Sequence, residues 1–179
     1  EIIAEEGSSL TVIMDYSSGK HEGGFFGVQT RLHAGKGSVI HLVKIELLGD
    51  RFLHFDYIGV EADEGGKIDI IQMELGGGEN YTGLEADLKG RTSSFNGNVG
   101  YLCVGEQQLD MNYLIKHNGK KSTSELVVRG ALKDKAQKTF RGTIDLRHGA
   151  KGAKGDEQEE TLLLSNGVRN KDFPVILSD

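Results

Sequence analysis

The stretch that decides the fold runs from His117 to Pro174: HNGKKSTSELVVRGALKDKAQKTFRGTIDLRHGAKGAKGDEQEETLLLSNGVRNKDFP. It is built of short apolar-alternating runs, each closed by a Gly or Asn. An Arg-Gly step occurs twice, at Arg129-Gly130 and Arg141-Gly142. Such a chain repeats one strand-turn unit. Working outward, period-2 alternation marks half-buried strands. Leu109, Met111, Tyr113 and Ile115 alternate with Asp110, Asn112 and Lys116. Phe140, Gly142, Ile144 and Leu146 alternate with Arg141, Thr143, Asp145 and Arg147. Toward the start, Val39-His41-Val43-Ile45-Leu47 and Leu10-Val12-Met14-Tyr16 read the same way. Helical periodicity is weak throughout. Ala131–Ala136 has helical propensity but is too short to stand alone, so almost no helix is expected.

Strand-like runs begin near Ile40, His54, Ile68, Tyr81, Phe95, Leu109, Ser124, Phe140 and Thr161. Most of these starts lie close to fourteen residues apart. Regular short strands with turn signals point to a sandwich, a barrel or a solenoid. The Asn-Gly steps at Asn96-Gly97, Asn118-Gly119 and Asn166-Gly167 fit hairpin turns and solenoid corners equally well. The even spread of the pattern, with few long loops, favours the solenoid. Two strands per coil would give about six coils at ~4.8 Å, a rod of roughly 30 Å. The expected class is therefore all-β, a parallel β-helix, with a β-sandwich as the alternative. Open ends of such a stack invite pairing with another chain. Asp172–Leu177 is a strand-like run placed to form one of them.

Composition supports ordered strands. The 179 residues include 26 Gly and one Pro, and are 37% hydrophobic and 27% charged. That length fits one domain able to bury a core. The net charge is −6, and the denser basic stretches, Lys116–Lys121 and Lys133–Lys138, are short and interrupted. A nucleic-acid surface, which needs clustered cations, is disfavoured. No apolar run approaches the ~20 residues of a membrane span, and no secretory leader opens the chain. Cys103 is the one cysteine, which rules out an internal disulfide and suits a reducing compartment, the cytoplasm. Glu1 in place of an initiator Met suggests a piece of a longer protein.

Residues His117-Asn-Gly119, Ser122–Ser124, Val128-Arg-Gly-Ala-Leu132, Lys138–Ile144, Thr161–Gly167 and Phe173-Pro-Val-Ile-Leu177 carry a family resemblance. The ordered set resembles the SufB/SufD proteins of iron–sulfur cluster assembly, nearer the SufD side. The opening, Ile2–Gly7 followed by Tyr16-Ser-Ser18, looks like the family's lead into its core. The resemblance implies a right-handed parallel β-helix and a non-enzymatic scaffold role in the SUF system. It implies pairing with a SufB or SufD homologue, as homo- or heterodimer, and work with a SufC-type ATPase bound through a C-terminal helical region. No helical region of that kind is legible here, so residues 1–179 read as the β-helix core alone. No firmly bound cofactor is expected in this core; a transient iron–sulfur cluster would belong to the full complex.

Site residues carry over poorly. The position matching the SufB cysteine ahead of the Phe-Pro step is Val168, which cannot be a thiolate. The family's SufD histidine follows Phe-Pro in a His-Gly-Ala motif; His148-Gly149-Ala150 resembles it but precedes the Leu162–Leu164 strand, and reads as a turn. Cys103 reads as a small buried apolar residue. Cys103, His117 and His148 remain weak metal-ligand candidates, since residues one coil apart can meet. The acidic run from Gly155 to Glu160 reads as a solvated loop. The two Arg-Gly steps read as structural, with Arg toward water. No G-x-S-x-G, P-loop or C-x-x-C is present, and Gly76–Gly78 is a turn. A carbohydrate-active β-helix enzyme, the rival reading, needs paired carboxylates; Asp110 and Asp145 are the outward candidates. A plain structural or adhesive solenoid is a third reading.

Overall fold

A backbone that alternates faces must satisfy its amides sideways, on neighbouring strands. The computed structural model, which describes residues 1–19 and 22–178, shows how this chain does so. Thirteen strands are formed: β1 (Ile2–Ala4), β2 (Ser9–Ser17), β3 (Gly23–Ala34), β4 (Val39–Leu47), β5 (Arg51–Ala62), β6 (Lys67–Glu74), β7 (Glu79–Leu88), β8 (Ser94–Cys103), β9 (Gln108–His117), β10 (Thr123–Leu132), β11 (Gln137–Leu146), β12 (Lys154–Leu163) and β13 (Arg169–Ser178). No helix occurs among the described residues. The seven odd strands form one sheet and the six even strands the other, each in strict sequence order. Each strand pairs in parallel with the one two places along. The chain is a parallel β-solenoid of about 6 turns. The β-sandwich alternative falls, because its hairpins would be antiparallel.

In-register pairing turns each inward position into a row running through the rod. One row is Ile40, Ile68, Phe95 and Ser124. Another is Ile58, Leu84, Tyr113 and Gly142. The two sheets press such rows together into a core that includes Ile40, Leu42, Ile58, Ile68, Ile70, Leu84, Phe95, Met111, Tyr113 and Phe140. Leu109, Met111, Tyr113, Ile115, Phe140 and Ile144 are all inward, as their alternation predicts.

Three expectations are corrected. In β4 the apolar set Val39-Val43-Ile45-Leu47 lies outward or half-covered, while Ile40, Leu42, Lys44 and Glu46 are buried. Both faces of this strand are apolar enough that alternation alone could not choose, and a slip of one residue exchanges them. The run from Gly155 to Glu160 is not a loop but the body of β12, which starts at Lys154 rather than near Thr161. Asn96-Gly97 is inside β8, not at a corner, whereas Asn118-Gly119 and Asn166-Gly167 lie in turns.

The Arg-Gly steps use both faces of their strands. Arg129 lies outward against Glu160 at 3.0 Å, and Arg141 outward on Asp110. Their glycines point inward and leave room. A Cβ on Gly130 would lie 2.4 Å from the Tyr101 ring, and one on Gly142 2.1 Å from a Glu157 carboxylate oxygen.

The corners repeat as well. Amides of Gly35, Asp63, Lys89, Asn118 and Arg147 donate to carbonyls of Ala4, Ala34, Ala62, Leu88 and His117, one coil back, at 2.8–3.1 Å. At Gly119 the corner is so tight that a Cβ would sit 1.9 Å from the Gly90 carbonyl oxygen. Gly105 differs: its φ is +65°, with open space around it. We expect Gly119→Ala to cost above ~2 kcal/mol, because backbone must shift, and Gly105→Ala about 1 kcal/mol, the left-handed penalty alone. Urea denaturation of both variants checks this; equal losses would mean that corner stacking contributes nothing.

Candidate functional site

Solenoid interiors are ordinarily apolar, so a buried polar row stands out. Here two such rows on the even sheet face two on the odd sheet. Lys44 stacks on Gln72 and Glu46 on Glu74. Opposite them, His54 stacks on Asn80 and Asp56 on Thr82. All eight are buried. They come from the ends of β4 and β6 and the starts of β5 and β7, just behind the turns at residues 48–50 and 75–78. A cleft of about 1070 Å³ runs along this edge, with Leu48, Leu75 and Gly76 in its wall.

Several groups in the cluster are held. Lys44 is ion-paired with Asp56 and lies 3.5 Å from the Thr30 hydroxyl. Glu46 accepts the Leu48 amide at 2.5 Å and the Gly76 amide at 2.9 Å. Gln72 donates to Glu74 Oε1 at 2.6 Å and accepts from the Tyr113 hydroxyl at 3.0 Å. His54 Nδ1 lies 3.9 Å from Glu74 Oε2. Neither His54 ring nitrogen makes a well-directed hydrogen bond, and neither does Glu74 Oε2 or Asn80 Oδ1. Asn80 lies close enough to favour a charged His54, but burial outweighs it and holds the imidazole below the usual histidine range.

Two carboxylates share this interior with one lysine, already committed to Asp56. Burial, then the neighbouring Glu46 charge, pushes Glu74 up to about 8. Glu46 is also raised by burial, though its backbone donors pull the other way. Sequence reading missed this cluster. The signal available was the coincidence of Lys44 with Gln72 and Glu46 with Glu74 at equivalent strand positions, legible only once the coil register is known.

Of the three sequence candidates, the fold places each apart from the others. Cys103 is buried at the end of β8. Burial, with the charges of Glu74 and Glu46, pushes its thiol up to about 12, far from a thiolate ligand. Resident iron–sulfur clusters are held by several thiolates, so the residues present do not fit one. His117, at the end of β9 on the opposite edge, is fully buried. Its Nδ1 meets Ser122 Oγ at 2.7 Å and its Nε2 meets Ser124 Oγ at 2.9 Å. Ser122 spends its own proton on the Gly119 carbonyl at 2.8 Å, so it accepts from Nδ1–H. Both ring nitrogens are thus engaged, and burial keeps the ring below its ordinary pKa. His148 is exposed in the turn after β11. Val168 packs against the core beside β13.

The outward carboxylates do not pair. Asp110 is gripped by Arg141 and Asp145 by Arg147 at 2.9 Å. Asp110 lies opposite Thr139, six positions from Asp145 along β11, about 20 Å at strand rise. Glycoside hydrolysis needs carboxylates ~5–9.5 Å apart. A second charge cluster joins the last coils: buried Lys138 donates through Nζ to Asp172 at 2.6 Å and is paired with half-buried Glu159, which lies in the acidic run.

The raised Glu74 makes stability pH-dependent. Its folded pKa exceeds its unfolded value of 4.5, so its contribution is intact below 4.5 and is lost as pH rises toward 8. In chelator-treated protein, Glu74→Gln should therefore stabilise the fold by an amount that grows by about 1.4 kcal/mol per pH unit across that window and then levels. Urea denaturation at about pH 5 and about pH 8 reads the difference; an equal gain at both would place Glu74 at its ordinary value.

The family described as "SUF system FeS cluster assembly, SufBD core domain" matches residues 1–179. A curated relative, the iron-sulfur cluster assembly protein SufD of Bacillus subtilis (strain 168), is 24% identical over 182 residues. The match covers 99% of this chain and 41% of the relative, so the chain spans less than half of that protein's length. With the match running from end to end and the fold a parallel β-solenoid, the chain belongs to the SufBD core family of the SUF iron–sulfur cluster assembly system.

Proposed function

We propose that this chain is the non-catalytic scaffold core of a SufD-like subunit, which pairs with a SufB or SufD homologue and works with a SufC-type ATPase in the cytoplasm. The observation that carries the reading is the SufBD core match along the whole chain. Among the described residues, β13 has a ladder partner on one side only, and so does β12. Around them Leu162, Leu163, Leu164, Phe173, Val175, Ile176 and Leu177 are between 43% and 70% exposed. This edge is open to a further strand, from the rest of a longer protein or from a partner. The iron–sulfur cluster is then cargo, assembled transiently at a subunit interface, and ATPase motion reaches the pair through parts of the protein outside this core. Among the described residues, no helix is long and apolar enough to cross a membrane. The carboxylates nominated for the carbohydrate-active alternative, Asp110 and Asp145, stand too far apart to act as its pair.

The test is an oxygen-free pull-down of the full-length protein from its native cells, with partners identified by mass spectrometry. We expect an ABC-type ATPase and a SufB-like chain. Absence of both partners would leave the chain a β-solenoid without this role.

A further inference from the structure

We infer that the solenoid interior binds one divalent first-row transition-metal ion between Glu46, His54 and Glu74. One ligand atom from each of these residues lies within 4.8 Å of the others, and all three side chains are buried. Donor atoms on one such ion, at ~2.1 Å, stand about 3.4 Å apart. The His54 Nδ1 to Glu74 Oε2 separation of 3.9 Å closes to that value with a small side-chain adjustment.

The second observation is independent of the clustering. His54 is fully buried, yet neither ring nitrogen makes a well-directed hydrogen bond, and neither does Glu74 Oε2. Buried polar atoms left unpaired are expensive and rare, so a set of them converging on one point calls for a ligand. The missing partner must accept lone pairs from an imidazole nitrogen and carboxylate oxygens together. Water or a proton serves one or two of these atoms; a cation serves all three.

Charge and donor chemistry narrow the class. The one lysine in the cluster, Lys44, is ion-paired with Asp56, so neither glutamate has an ion-pair partner of its own. A divalent ion neutralises two carboxylates. One imidazole with two carboxylates suits zinc, cobalt or ferrous iron better than calcium or magnesium, which prefer all-oxygen shells. The ligands are also oriented, as metal ligands usually are by their outer partners. Backbone amides of Leu48 and Gly76 fix Glu46. Gln72, itself held by Tyr113, fixes Glu74. Asn80 Oδ1, also unpaired, lies in the row beside His54 as an acceptor for its second nitrogen. Phe26 backs the imidazole at 5.7 Å between ring centroids. The access path is the cleft whose wall contains Leu48 and Gly76, the two residues whose amides hold Glu46. The site stands whether or not the protein pairs with a homologue.

The experiment uses full-length protein stripped with a chelator and titrated with Co²⁺. Three readouts are taken: bound metal per chain, the visible d–d spectrum, and the melting temperature. We expect one ion per chain, a ligand-field spectrum of mixed nitrogen and oxygen ligation, and a melting temperature that rises with added Co²⁺. Glu74→Gln, whose fold is stabilised when metal-free, should lower Co²⁺ affinity at least 100-fold, and His54→Gln should also remove the nitrogen signature. Crystals of the parent soaked in Co²⁺ should show anomalous density between the three side chains, which keeps the test decisive if His54→Gln does not fold. No uptake by the parent, equal uptake by Glu74→Gln, or anomalous density elsewhere would each overturn the site.

Discussion

Everything in this structure depends on the parallel ladder between each strand and the strand two places along the chain. A solenoid coil cannot satisfy its own amides, since its two strands lie in different sheets. Every backbone group must find its partner one coil away. Stability is therefore passed along the rod by nearest neighbours, and register is shared by all coils. That register makes a row from each inward position, so the character of one residue is felt by those above and below it. Gly142 lies in the row of Ile58, Leu84 and Tyr113 and leaves space for Glu157 across the core.

The same constraint explains how so much polarity is tolerated inside. Lys44, Glu46, Gln72 and Glu74 form two adjacent rows, and His54, Asp56, Asn80 and Thr82 answer them from the other sheet. Most atoms of this cluster are matched: lysine to aspartate, glutamine to tyrosine and glutamate, glutamate to backbone amides. Those left over include both His54 ring nitrogens and Glu74 Oε2, with one oxygen each of Asp56, Asn80 and Thr82. A polar interior of this kind is not needed to hold coils together, as β8 to β11 show with Phe95, Met111, Tyr113 and Phe140. It marks the stretch where the fold gives up apolar burial for chemistry.

The two ends of the described stack differ from its middle. In β4 to β11 the inward rows are closed on both sides. In β12 and β13 they are open, and the residues around them are apolar and exposed. Lys138, itself buried, ties the last described coil to the one before it through ion pairs with Glu159 and Asp172.

The strands were legible in sequence because alternation and Gly or Asn punctuation are local properties. So were their spacing, the absence of helix, the inward sets of β9 and β11, the outward arginines, and the family resemblance in its ordered pieces. The inward set of β4 was not legible, because both of its faces are apolar enough to be buried and only pairing with β6 selects one. The strand nature of the acidic run was hidden for a related reason. Glu157 and Glu159 face inward because the space at Gly142 and Lys138 lie opposite them. The cluster of Lys44, Glu46, His54, Asp56 and Glu74 draws one or two residues from each of three strands, so no spacing along the chain announces it. Local periodicity determines which segments become strands; which side chains then share an interior is decided by the register between coils, a long-range property that single-strand patterns do not carry.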